Sequence, residues 1–299
     1  MSLAMRTSPA QPRQHRQRGF TLVELIMVIV IMGVIGGMVS VFMKSPIDAY
    51  IASARRAALT DVADTVVRRM ARDIRKSLPN SIRTPNNQCI EFIPTKTGGR
   101  YRAEEFAAGD NSSLNFSVAD FTFNMLGSNI ALPADQRIVN GDVIVVYNLG
   151  ITGSSAYEQD NTATVTLAPI ESAAPIETII AIEGTPIGTP IGTPLGKQFP
   201  LASASNRFHV IPANENIVAY VCSGGNLHRT SRALFPSSTA VPASSCPSIG
   251  PILARNVTCN FDYGGSDLQR NALIRMVIQL TDSGETVSLQ HEVHVNNTP

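Results

Sequence analysis

The 299-residue chain has no Gly-x-Ser-x-Gly elbow, no phosphate-binding loop ending in Gly-Lys-Ser/Thr, and no Gly-x-Gly-x-x-Gly turn. These absences remove the usual signatures of serine hydrolases, P-loop nucleotide enzymes and dinucleotide-dependent oxidoreductases, and no other enzyme signature takes their place. None of the four cysteines, Cys89, Cys222, Cys246 and Cys259, forms a Cys-x-x-Cys pair, which argues against zinc or dithiol redox chemistry. Net charge is +1, yet the first nineteen residues hold Arg6, Arg13, Arg16 and Arg18 and no acidic residue. Without that segment the net charge is about −3, which gives no support to a nucleic-acid partner.

Charge is scarcest from Phe20 to Met43, where Glu24 is the only formally charged residue before Lys44. A helix of that length reaches about 36 Å, enough to cross a hydrocarbon core of about 30 Å. The arginines before it predict a cytoplasmic N-terminus and a C-terminal portion across the membrane. No Ala-x-Ala site follows the apolar run, so an ordinary secretory signal is not expected. Glu24 stands out, because a carboxylate inside a membrane helix costs about 2.5–3.5 kcal/mol on insertion scales and calls for a partner.

After Lys44, apolar residues Ile47, Ile51, Ala54, Ala58, Val62, Val66, Met70, Ile74 and Leu78 recur at helical spacing, with Arg and Asp between them. This predicts an amphipathic helix, with Pro46 in its first turn and Pro79 ending it. Its arginines read as a solvated or subunit-contacting face. Beyond Asn80 the period becomes two. Strands are expected at 89–94, 114–123, 142–147, 163–167, 207–211, 217–223, 227–230, 257–263, 272–280 and 285–295, with hairpin turns at Gly224-Gly225-Asn226 and Asp282-Ser283-Gly284. The fold class is therefore α+β: a long N-terminal helix on a mostly antiparallel sheet. The repeat Gly-Thr-Pro-Ile-Gly-Thr-Pro-Ile-Gly-Thr-Pro-Leu-Gly at 184–196 reads as an exposed insertion.

Other candidate sites are weaker. His291 and His294 are three apart on an expected strand, not four apart on a helix, so alternation places them on opposite faces. Asp262–Asp267 and Asp282–Glu285 offer oxygen atoms but no EF-hand loop, and no cofactor or metal is expected. Four cysteines beyond a membrane segment predict disulfides with three possible connectivities; Cys222–Cys246 with Cys89–Cys259 is preferred, because the first pair closes a short proline-rich loop.

The stretch Arg18-Gly19-Phe20-Thr21-Leu22-Val23-Glu24-Leu25-Ile26, at a basic-to-apolar junction, resembles the class III signal of type IV pilins and type II secretion pseudopilins. The resemblance implies cleavage by prepilin peptidase after Gly19, N-methylation of Phe20, and an assembly role for Glu24. It divides the chain into a leader (1–19), a transmembrane assembly helix (20–43), its amphipathic continuation (44–79) and a β-rich periplasmic head (80–299) with the 184–196 insertion. Pilins commonly carry a proline later in the apolar segment, whereas this chain has Gly33, Gly36 and Gly37 and no proline before Pro46.

Further stretches extend the similarity along most of the mature chain. These are 49–64, Val67–Arg75, Cys89–Pro94, Val139–Val143, Asn206–Val210 and the closing Glu-Val-His-Val-Asn-Asn-Thr-Pro. Together they resemble the O-type minor pilins of mannose-sensitive haemagglutinin (MSHA) pilus biogenesis, relatives of the J-type secretion pseudopilins. That likeness implies a subunit that primes or caps pilus assembly. A pseudopilin of the secretion tip complex and a pilus-borne adhesin binding through loops around 184–196 are the alternative expectations. The expected partners are prepilin peptidase, other minor and major pilins and the inner-membrane assembly platform. The expected place is the bacterial inner membrane, and the pilus or pseudopilus after assembly.

Overall fold

A computed structural model describes residues 19–183, 196–232, 246, 250–264 and 271–299. Two compact units partition the chain, Met1–Ala54 and Arg55–Pro299. Helix α1 (Leu22–Arg75) is a single element that passes through Pro46, so the amphipathic stretch continues the apolar one, and it ends at Arg75, short of the expected stop at Pro79. The only hydrogen bond Pro46 forgoes is the one its missing N–H would have given the preceding turn.

Among the described residues fifteen strands follow: β1 (Arg83–Asn86), β2 (Cys89–Phe92), β3 (Thr97–Arg100), β4 (Thr122–Leu126), β5 (Val143–Val146), β6 (Thr162–Val165), β7 (Ile170–Glu171) and β8 (Glu177–Glu183) come first. They continue with β9 (Arg207–Ile211), β10 (Ile217–Ser223), β11 (Asn226–Arg232), β12 (Ile252–Arg255), β13 (Val257–Tyr263), β14 (Asn271–Asp282) and β15 (Glu285–Asn296). The arrangement is the expected α+β one: a long apolar N-terminal helix packed on antiparallel sheets. Of the predicted helical stripe, Val66, Met70 and Ile74 are buried on that helix, joined by Ala63, Val67 and Ala71. Ile47 and Ile51 are exposed.

Sheet order β1-β2-β10-β11-β12 and the meander β13-β14-β15 close over the helix. Their shared core gathers Ile90, Phe92, Val218, Tyr220, Phe261, Ile274, Met276 and Ile278 against Met70 and Ile74. Burying each such side chain stabilises the fold by about 1.5–3 kcal/mol. The 14–15 hairpin keeps one register from Asn271↔Asn296 to Asp282↔Glu285, with its turn at Ser283-Gly284, as its sequence predicts.

β2 and β10 are neighbours in the sheet although residues 93–216 lie between them in sequence. That excursion builds a second body. Strands run β3-β9-β5-β6-β8-β4, and β4 returns to the start through the Tyr101↔Met125 bridge and the bond from Arg102 N–H to Asn124 O (2.9 Å). A small six-stranded barrel results, with β7 paired outside β8. Its interior holds Tyr101, Phe123, Met125, Ile144, Val146, Ile180, Ile182, Phe199, Phe208 and Val210. Gly99 faces this interior, and a Cβ there would stand 2.8 Å from the Phe208 ring and 2.9 Å from the Met125 sulfur. Val143, Val145 and Ile211 point the other way, into a separate cluster with Leu78, Ile93, Tyr157 and Ile217.

The expected strand at 114–123 is replaced by turns, and β4 begins only at Thr122. Polar side chains capture the backbone there: Asn115 Oδ1 accepts the Ser117 N–H (2.8 Å), while Asp120 accepts those of Asn115 (3.0 Å) and Phe121 (2.9 Å). The disulfide pairing also differs from the one preferred above. Cys89 is bonded to Cys246 and Cys222 to Cys259, with Cα separations of 6.2 and 5.9 Å. β13 brings Cys259 beneath Cys222 in the core shared with the helix. Cys89 sits with Ala219 and Val221 in a separate cluster, against which Cys246 packs. The repeat at 184–195 and Asp267 lie outside the described residues.

Candidate functional site: the N-terminal segment and the joints of the head

The N-terminal site is built by a helix cap. The Glu24 carboxylate accepts hydrogen bonds from the backbone N–H of Thr21 (3.0 Å) and from its hydroxyl (3.0 Å). In return Thr21 Oγ1 accepts the Glu24 N–H at 3.3 Å. Thr21 is the residue before the first helical position and Glu24 the third within it, so Thr-Leu-Val-Glu forms a reciprocal capping box. That box gives the carboxylate a partner within its own chain. Both protein donors reach Oε2, which leaves Oε1 available to an external cation.

Gly19 and Phe20 precede the cap, and Phe20 is 84% exposed. A Cβ on Gly19 would meet nothing within 4 Å, and the same holds at Gly33, Gly36 and Gly37. Large apolar side chains from Leu22 to Met43 all face outward. Among the described residues, α1 is the helix long and apolar enough to cross a membrane.

The second unit contains three buried or half-buried polar joints that the sequence pattern did not single out. Glu91, fully buried on β2, is paired with Arg83 and Arg232. Asp73, near the C-terminal end of α1, accepts from the Tyr220 hydroxyl (2.6 Å) and from Arg229 (2.9 Å), whose other nitrogens hold Glu215 at the exit from the barrel. Burial, reinforced by Asp73, pushes the Tyr220 hydroxyl well above its ordinary range. Asn148 donates to Pro79 O (2.6 Å) and accepts from Ala156 N–H, while Asn80 donates to Asn148 O and Asn297 O. The asparagines therefore tie the segment after the helix to a barrel loop and to the last strand's end. Such joints show in sequence only as scattered polar residues, because their partners lie far apart along the chain.

Lys197, on the barrel, is buried and donates to Gln159 O at 3.0 Å. Burial lowers its pKa from 10.5 to about 8, with nearby Asp160 opposing the change. The unfolded chain then binds the proton more tightly between about pH 8 and 10.5, so stability rises with pH across that window. Below pH 8 the cost of burying the ammonium is fully present. Lys197→Met is expected to raise stability at pH 7 by about 1–3 kcal/mol, an advantage that fades by about pH 10.5. Denaturant unfolding of both proteins at the two pH values checks this; a constant difference would refute it.

His291 is half-buried on the inner face of β15 and His294 is exposed on the other, as alternation predicts. Among the described residues no three His, Cys, Asp or Glu side chains converge as a metal site.

The Gly19–Phe20 junction, the capped helix and the exposed apolar side chains thus lie at one end of the chain. Residues 14–40 match the prokaryotic N-terminal methylation motif. This motif suggests a type IV pilin- or pseudopilin-type protein that prepilin peptidase processes, and the one long apolar helix among the described residues is consistent with single-pass anchoring. Comparison with curated proteins and with solved structures finds no significant match.

Proposed function

We propose that the chain is a minor type IV pilin of the MSHA type that primes or caps pilus assembly. It enters the inner membrane with its leader cytoplasmic and its head periplasmic, is cut after Gly19 and is methylated at Phe20. Other minor and major pilins and the inner-membrane assembly platform are its partners. One observation carries this reading: the methylation motif runs directly into a capped, outward-facing apolar helix that continues beneath a β-rich head. Cleavage creates an amine at Phe20, and in a filament of staggered parallel helices a neighbour's amine can reach Glu24 Oε1 while Thr21 holds Oε2. The precursor lacks that amine, so processing licenses assembly electrostatically. The barrel inserted between β2 and β10 enlarges the head, and such a head is easiest to place at a filament end, where fewer neighbours surround it.

A pseudopilin of the type II secretion tip complex would share the same motif and is the second reading. Mass spectrometry of the N-terminal peptide from native membranes tests the common core, with N-methylated Phe20 as the expected first residue. An intact leader would refute it. A deletion strain then separates the two readings, since loss of pili supports the first and loss of exported proteins with pili intact supports the second.

A further inference from the structure

On the outer face of the barrel, β3 and β9 pair so that Gly98 lies opposite His209 and Arg100 opposite Arg207. Directly opposed residues of an antiparallel pair have Cβ atoms about 4.5–5.5 Å apart, and like charges there destabilise the sheet. Both arginines are exposed. The barrel's other cations each have a partner: Arg102 pairs with Glu177, Arg137 donates to Leu132 O (3.1 Å) and Ile130 O (2.8 Å), and Lys197 donates to Gln159 O. Among the described residues, neither Arg100 nor Arg207 has an ion pair or side-chain hydrogen bond.

The two guanidinium groups border an open groove of about 280 Å³ lined by Gly98, Gly99, Arg100, Arg207, Phe208 and His209. Its floor depends on a glycine. A Cβ at Gly98 would stand 2.8 Å from Phe208 O and 3.6 Å from His209 Nδ1. His209 is half-buried, and burial followed by the charge of Arg207 lowers its pKa, which leaves a neutral imidazole beside the groove at pH 7.

We propose that this groove binds an oxyanion, a phosphate, sulfate or carboxylate carried on a small flat group seated over Gly98. Guanidinium forks bind such groups bidentately, and an anion between them converts the repulsion of the empty pair into two charge-assisted contacts. The site is thus a local breach of strand-pairing rules that a ligand repairs. It does not depend on the pilin reading.

Thermal unfolding of the full-length protein in detergent, followed by circular dichroism, provides the test. Chloride is replaced at constant ionic strength by phosphate, sulfate, acetate or a short oligogalacturonate. At least one of these is expected to raise the Tm by about 2–4 °C when present at about ten times its Kd. In Arg100→Gln and Arg207→Gln the affinity for it falls at least about tenfold, while the Tm in chloride equals or exceeds that of the parent. A response to phosphate or sulfate identifies a free or phosphoryl-type oxyanion; a response to oligogalacturonate far below the concentration needed for acetate identifies a sugar acid. Three results would each overturn the proposal: no anion raises the Tm above chloride, the variants respond like the parent, or the variants are destabilised in chloride and the arginines are therefore structural.

Discussion

Gly19→Val is expected to leave the head folded and to abolish leader removal, so that the chain keeps all 299 residues instead of the 280 from Phe20 onward. A Cβ at Gly19 meets no described atom within 4 Å, so the substitution is expected to disturb no packing in the chain itself. Any loss must then arise in the peptidase, which has to draw the backbone at Gly19–Phe20 into its own site. Glu24→Gln separates processing from assembly. Glutamine still fills the third position of a capping box, so the helix start is preserved while the charge is lost. Leader removal is expected to continue, whereas incorporation into filaments falls at least about tenfold, equivalent to about 1.4 kcal/mol of subunit contact. The N-terminal peptide mass reports the first step, and the protein's content in sheared filaments reports the second. Normal cleavage of Gly19→Val, or unchanged incorporation of Glu24→Gln, would remove the corresponding role.

Loss of the Cys89–Cys246 bond is expected to cost the head about 5 kcal/mol, on the loop-entropy relation for residues 157 apart in sequence. The same relation gives about 4 kcal/mol for Cys222–Cys259, which closes a separation of 37. The longer bond spans the whole barrel excursion, since β3 to β9 all fall between its ends. It therefore restrains an unfolded chain that otherwise has to close a very long loop before β2 can meet β10. Denaturant unfolding of Cys89→Ala/Cys246→Ala against the parent measures the difference. A loss below about 1 kcal/mol would show that the unfolded chain is already compact around these positions. Because a typical domain is stable by only about 5–15 kcal/mol, reduction of this bond is expected to bring the head close to unfolding.

How far the sequence reached depended on whether a feature was local. The run from Phe20 to Met43 and the signal around Gly19-Phe20 were legible because each is written in neighbouring residues; the Thr21-x-x-Glu24 box is equally local but emerged only with the structure. Strands 207–211, 217–223 and 257–263 appear with the expected bounds; β13 alternates as a half-buried strand, whereas β10 is a short apolar run buried on both faces. β8 was not among the expected strands, although Thr178, Ile180 and Ile182 alternate inward.

Other features belong to the tertiary structure alone. β3, with the sequence Thr-Gly-Gly-Arg, has no strand propensity, and it exists because Gly99 lets the Phe208 ring and Met125 fill the barrel. The 114–123 segment went the other way, when Asn115 and Asp120 took its backbone hydrogen bonds. Disulfide partners were decided by tertiary placement, with β13 set against β10 at Cys222–Cys259 and Cys246 brought to β2 at Cys89, a long-range outcome that spacing cannot encode. The opposed pair Arg100 and Arg207 likewise follows from strand register, since residues more than a hundred positions apart become neighbours only when the barrel closes. Local patterns thus determined the anchor, its cap and most strands, while the barrel, the disulfide pairing and the polar joints required the packed chain, because each depends on contacts between segments distant in sequence.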